Sequence, residues 1–198
     1  MTYTIDDLLD QLQQDVSVGD VQAFRVRVIN TLRTRLWRRI GYERVGVRFV
    51  EPVNLPTNRR IELADSILTI TDASLNGADW TAVEGPTDQL GPLHVLTMQR
   101  DPYGVTFPYF TGAALYVRGY RLQTDADEQA LIPEACFPAA YDLCLAEVLG
   151  TQPQHPRFGE RSSLQRSADT WIGRARAALT PRGEAADRTI RRYIGYHE

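Results

Sequence analysis

The residues able to ionise, coordinate a metal or attack a substrate are few in this chain and poorly clustered. His94, His155 and His197 lie far apart with no cysteine at ligand spacing, whereas metal sites are built from grouped donors. Asp125-x-Asp127-Glu128 has the acidic start of a calcium loop but lacks its glycine and later glutamate, and reads better as an acidic lead-in to a helix. Cys136 and Cys144 fall in apolar helical sequence, the inert setting for a thiol. On one helix their spacing sets them about 12 Å apart, too far for a disulfide, so both are expected as buried free thiols. No G-x-S-x-G elbow and no phosphate-cradling G-x-G-x-x-G or G-x-x-x-x-G-K-[ST] occurs. Carboxylates such as Glu43 and Glu51 read as solvated charge. The expectation is a protein that is not an enzyme, with no catalytic, cofactor-binding or metal residues.

The basic residues are more distinctive. All 22 are arginine and lysine is absent, which removes a phosphate-loop lysine, a Schiff-base lysine and a lysine general base. Coding bias accounts for such usage, and planar arginine forks also suit subunit interfaces and carboxylate pairing. A net charge of −3 excludes a general DNA binder, although local basic stripes remain open. The densest stripe is Arg25, Arg27, Arg33, Arg35, Arg38 and Arg39. It can contact nucleic-acid phosphates, or pair with an acidic segment at 4–15 of the same or a neighbouring subunit.

The elements that must carry these residues follow from periodicity. The chain of 198 residues is long enough to bury a core, and no apolar run approaches a membrane span. The acidic, amphipathic start MTYTIDDLLDQLQQD is no signal peptide, so an intracellular, soluble protein is the default expectation. Residues 4–17 read as a helix with Ile5, Leu8, Leu9, Leu12 and Val16 on one face, opened by a Thr4/Asp7 capping box. Residues 20–40 read as a longer helix capped by Asp20, with the stripe Phe24, Val28, Leu32, Leu36 and Ile40, stopped at Gly41. The pair forms a hairpin across Ser17–Gly19. From 45 to 122 the pattern becomes β. Val45, Val47 and Phe49 alternate up to Pro52; strands follow near Ile61–Leu63, at 66–75 and at Leu93–Met98; Asn76-Gly77 marks a tight turn. Ala114–Leu122 is a strand with Tyr116, Arg118 and Tyr120 on one face and Leu115 and Val117 on the other. Helices return at 138–149, with Pro138 as first residue, and at 162–179, capped by Ser162 or Ser163. The fold class is therefore α+β: mainly a helical bundle, an N-terminal hairpin plus C-terminal helices, with a small antiparallel β region inserted in the middle. Residues 1–180 form one domain and 181–198 a tail.

Three stretches carry a family resemblance: RTRLWRRIGY (33–42); RIELADSILTITDASLNGADW (60–80); and ALYVRGYRL with IPEACFPAAYDLCLAEVLG (114–122 and 132–150). In this order they resemble the head-to-tail connector, or adaptor, proteins of tailed bacteriophages. The likeness rests on segment order and pattern, and leaves 81–112 and 181–198 unspecified. It implies a structural virion protein in the particle neck, made in the host cytoplasm, forming a homo-oligomeric ring of about twelve copies. Its implied partners are sister copies, the portal protein, a stopper or tail-side neck protein, and double-stranded DNA passing through the lumen without sequence specificity; no membrane is implied. No catalytic residue is carried over.

Two segments suit docking on physical grounds. The tail holds Ile190, Arg191, Arg192, Tyr193, Ile194 and Tyr196, types favoured as interface anchors, and is expected to meet the portal. Loop 100–112 holds Tyr103, Phe107, Tyr109 and Phe110, more aromatic surface than a free loop exposes. With Arg25, Arg33 and Arg35 it is expected to face a neighbouring subunit or the tail-side protein. The alternative reading is a small DNA-binding or regulatory protein using the arginine-rich helix 20–40.

Overall fold

The first element of the chain to explain itself is a helix start. Thr4 Oγ1 accepts from the Asp7 N–H at 3.0 Å and Asp7 Oδ2 accepts from the Thr4 N–H at 2.7 Å, a reciprocal cap that opens α1 (Ile5–Asp15). The computed structural model describes residues 2–80, 96, 98–101 and 103–179. The segment before the cap, β1 (Thr2–Thr4), pairs antiparallel with β8 (Leu131–Pro133). No periodicity in these short segments announces the pairing.

Asp20 Oδ1 accepts from the Ala23 N–H at 3.0 Å and opens α2 (Val21–Thr31). The helix continues as a π-helical segment, Leu32–Trp37, and a last α-helical turn, α3 (Arg38–Ile40). The sequence explains why. Phe24, Val28, Leu32, Leu36 and Ile40 repeat every fourth residue, as do Ile29, Arg33 and Trp37, and all are buried. In an α-helix each step of four overshoots the turn, so the first row drifts by about 160° from end to end. Closing i→i+5 bonds widens the turn and brings every fourth side chain back to one face. Gly41, at φ +107°, ends the helix in a conformation that glycine adopts without penalty. A short α4 (Tyr42–Val45) leads into the sheets.

The chain is α+β, and its sheets are antiparallel. One has the order β2 (Val47–Asn54), β7 (Ala114–Arg121), β4 (Ile67–Ser74). The other has the order β3 (Arg60–Glu62), β6 (Gly104–Thr106), β5 (Gln99–Arg100). β2 runs through Pro52, where the sequence reading ended it. It is an edge strand, so a proline without an N–H is tolerated there. Of the Leu93–Met98 strand expectation, only Leu96 and Met98 are described; both are buried, and strand pairing begins at Gln99. β4 is bulged between Ile70 and Asp72, which lets Ile70 face the core while Asp72 takes the other face of the sheet against Arg118 and stays buried.

After β8, a 3₁₀ turn (Glu134–Cys136) leads to α5 (Phe137–Leu149), with Pro138 in its first turn. Ala139, Ala140, Leu143, Cys144, Leu145, Ala146, Val148 and Leu149 are all buried, so α5 is apolar nearly all round and packs between α1, α2 and α6 (Arg161–Ala178). No serine side chain caps α6, contrary to expectation. A 3₁₀ turn, Phe158–Glu160, feeds directly into the helix, and Ser163 Oγ donates instead to the Glu160 carbonyl at 2.6 Å.

Two apolar clusters result. The helices share one, which Leu68 and Leu122 reach from the sheet. The second lies between the sheets and contains Phe49, Ile70, Val105, Phe107, Phe110, Leu115 and Val117. No helix among the described residues is long and apolar enough to cross a membrane.

Candidate interaction surfaces

Folding consumes most of the arginines predicted to face outward. Arg25 donates to Asp6 and, at 2.7 Å, to Asp65. Burial alone lowers its pKa, but the two carboxylates outweigh that and hold it above the usual arginine value. Arg35 pairs with Glu147 of α5 at 2.5 Å, Arg39 pairs with Asp169 of α6 at 2.7 Å, and Arg27 donates to Thr151 Oγ1. Arg33 corrects the interface expectation outright. It is 7 % exposed and its guanidinium donates to the backbone carbonyls of Leu63, Ala64 and Ile67. Burial depresses its pKa, with Asp65 acting in the opposite sense. Three of the four acidic residues of α1 are also engaged: Asp6 by Arg25, Asp7 by its cap, and Asp15 by Arg157 and Tyr141. Arg25–Asp6 joins α1 to α2, while Arg35 and Arg39 pair with α5 and α6, so this charge is largely used within one chain. The same pairing leaves α2 few free cations for a nucleic-acid groove.

Loop 100–112 is also corrected in part. Phe107 (0 % exposed) and Phe110 (6 % exposed) insert into the core between the sheets. Arg59 fastens them there, its carbonyl accepting from the Phe107 N–H at 2.9 Å and its side chain donating to the Phe110 carbonyl. Tyr103 and Tyr109 stay exposed, and the Tyr103 hydroxyl accepts from Asn30 Nδ2 at 3.3 Å. The turn that presents Tyr103 is set by Asp101, whose Oδ1 accepts from the Tyr103 and Gly104 N–H groups. Arg60 donates to the same carboxylate and, with these backbone bonds, holds it down at about 2. A carboxyl with a depressed pKa stabilises the fold above its unfolded pKa of about 3.9 and loses that contribution as pH falls through the folded value. Asp101→Asn keeps the turn acceptor and removes the charge. It is expected to lower Tm at neutral pH, with the gap to the parent closing between about pH 4 and pH 2 in thermal melts. A gap unchanged across that window would refute the Arg60–Asp101 contribution.

The docking-tail residues Ile190, Arg191, Arg192, Tyr193, Ile194 and Tyr196 lie outside the described residues, as do His94 and His197. Both cysteines are buried free thiols. Burial pushes Cys136 up to about 12 and Cys144 higher still, so neither is a nucleophile near neutral pH.

The sequence reading missed the outward face of sheet β2–β7–β4. Val50, Pro52 and Tyr116 are exposed there, and Arg118 bridges Asp72 at 2.6 Å while lying 4.9 Å over the Trp80 ring. Tyr116 packs on the Asn76-Gly77 turn, where Gly77 takes φ +74°. The signal was the alternation of β7, which separates the two faces but does not say which one is covered. A cleft of about 250 Å³ opens between the π-helical segment and the sheets, lined by Arg33, Thr34, Arg38, Leu63, Leu68 and Ile70 among others. No metal-binding group of His, Cys, Asp and Glu exists among the described residues. No protein-family model and no curated protein matches this chain.

Proposed function

We propose that the chain is a structural subunit of a phage head-to-tail connector, assembling with sister copies into a ring between portal and tail. The observation that carries this is the outer face of sheet β2–β7–β4. Val50, Pro52 and Tyr116 stay exposed beside the Arg118–Trp80 stack, and tyrosine, tryptophan and arginine are the residue types that anchor interfaces. The order of segments, helical pair, β block and helical pair, supports the same reading, and so does the family resemblance. In this proposal the helices act as the connector bundle and the sheets as its inserted β region. Partners are sister copies (about twelve in a closed ring), the portal, a stopper or tail-side protein, and double-stranded DNA in the lumen. The place of action is the virion neck, reached from the host cytoplasm.

Native mass spectrometry and negative-stain electron microscopy of the chain, alone and with portal oligomers, test this. Rings formed on the portal are expected. Deleting 184–198 should abolish portal binding while leaving the far-UV circular dichroism unchanged. A chain that stays monomeric with portal present would sink the reading.

A further inference from the structure

Strand β2 bonds β7 along one side, and no strand among the described residues takes its other side. Its pairing runs without a register shift, whereas β4, at the far edge of the same sheet, is bulged. The register says which backbone groups β2 leaves over. Val47 faces Arg121, and the same register continues past the strand end, where the Leu55 N–H donates to the Ala113 carbonyl at 2.8 Å. Odd-numbered residues therefore turn their N–H and C=O groups toward β7, and Arg48, Val50, Pro52 and Asn54 turn theirs outward. All four are exposed. Pro52 has no N–H, so Arg48 and Val50 are the consecutive outward positions with both a donor and an acceptor to offer.

A second copy of β2 fits this edge in one antiparallel register. Setting Arg48 opposite Val50 of the second copy, and Val50 opposite its Arg48, uses every facing donor and acceptor. The neighbouring registers each carry a penalty: one sets Arg48 against its own copy, one sets the Arg48 carbonyl opposite Pro52, and the next sets Glu51 against Glu51. The favoured register also joins charges that folding leaves apart. Glu51 of the second copy comes opposite Val47, whose partner on the inner side is Arg121. Among the described residues Glu51 has no basic partner and Arg121 no acidic one. The Arg121 guanidinium leans from β7 toward this edge, 5.7 Å from the Phe49 ring centroid. Two strand spacings, about 9.5 Å, separate the backbones of the pair, a span that a glutamate and an arginine close together. Twofold symmetry makes the contact twice. Val47 and Val50, 43 % and 56 % exposed, gain cover, Val50 from the aliphatic stem of the facing Arg48.

We infer that the outer edge of β2 binds a second copy of this chain by antiparallel β2–β2 pairing, with Glu51 of each copy meeting Arg121 of the other. The two sheets then run on as one across the twofold axis. Pro52 fixes the register and keeps the edge from pairing along its whole length. This inference rests on the β2 edge and not on the connector reading: a twofold contact closes on itself, whereas a ring needs a head-to-tail contact, so each can hold without the other.

Sedimentation velocity of the full chain across a concentration series tests the pairing. The parent is expected to dimerise, and its Arg48 and Val50 amides should resist hydrogen exchange only at concentrations where the dimer forms. Glu51→Arg alone and Arg121→Glu alone each set like charges together twice per dimer, and each should weaken pairing about tenfold or more. Mixed, each variant supplies the charge that the other lacks, so heterodimers of parent affinity should form. Val50→Pro removes an outward donor, as Pro52 already does two residues on, and should abolish pairing with a melting temperature near the parent's. If that variant fails to fold, the mixing experiment decides alone. A parent that is monomeric at every concentration, or a mixture no better than its components, would overturn the assignment. So would a monomeric parent whose assembly on the portal is lost in Val50→Pro, which would give the edge to another chain. Parent dimers that mix as expected but form no ring on the portal would uphold this inference and remove the connector reading.

Discussion

Gly119→Ala is expected to destabilise the protein by about 3 kcal/mol or more, a fall in Tm of about 6–12 °C for a chain of this size. Gly119 sits in β7, the central strand of its sheet, opposite the irregular stretch of β4. A Cβ built there would lie 2.0 Å from the Thr69 carbonyl oxygen and 2.9 Å from the Ile70 Cα, both backbone atoms. A flexible side chain could swing away from such a contact, but a paired strand has to shift as a unit. The shift would carry Ile70 out of the core between the sheets and pull Asp72 from Arg118, because the bulges on either side set both orientations. Gly159→Ala is the matched control: nothing lies within 4 Å of its Cβ position, so its melting temperature should stay close to the parent's. Denaturant and thermal melts of both variants decide the matter. A Gly119→Ala protein as stable as the parent would mean that β4 and β7 do not approach this closely.

What could be read from the sequence divides by range. The start of α1 was legible because Thr4 and Asp7 make both capping bonds within one turn, and the apolar rows of α1, α5 and α6 lie on single elements. The π-helical segment was present in the sequence as an unbroken every-fourth-residue stripe from Phe24 to Ile40. It passes for an α-helical stripe unless the accumulated drift is counted. Pairing of β1 with β8 was not legible: three-residue strands show almost no periodicity, and the partners stand far apart along the chain. Nor was the division of the aromatic loop, since Phe107 and Phe110 differ from Tyr103 and Tyr109 only in their contacts with Arg59 and the sheet core.

Arg33→Ala is the second substitution with a large expected effect, about 2–3 kcal/mol, the scale of losing a charged donor to buried carbonyls. Arg33 joins the helical part of the chain to the sheets. Its guanidinium reaches from the π-helical segment to the carbonyls of Leu63, Ala64 and Ile67, fixing the turn between β3 and β4. That turn in turn receives the Leu122 N–H at the Ser66 carbonyl, 2.8 Å away, at the end of β7. Truncation leaves carbonyls in a poorly solvated site without this donor, each costing about 1–3 kcal/mol if water cannot replace it. Lysine is not a conservative exchange, because one ammonium group cannot reproduce the planar fork that spans three carbonyls. Arg33→Lys should therefore fall between the parent and Arg33→Ala. Hydrogen exchange separates this loss from a uniform one: the Ile67 and Leu122 amides should lose protection earlier in Arg33→Ala than the α5 amides, since α5 draws its stability from the helical core. Equal acceleration everywhere would mean that Arg33 serves global packing and does not hold this turn. The every-fourth-residue stripe accounts for the requirement, since it is the π-helical turn that keeps Arg33 in the same buried row as Ile29 and Trp37.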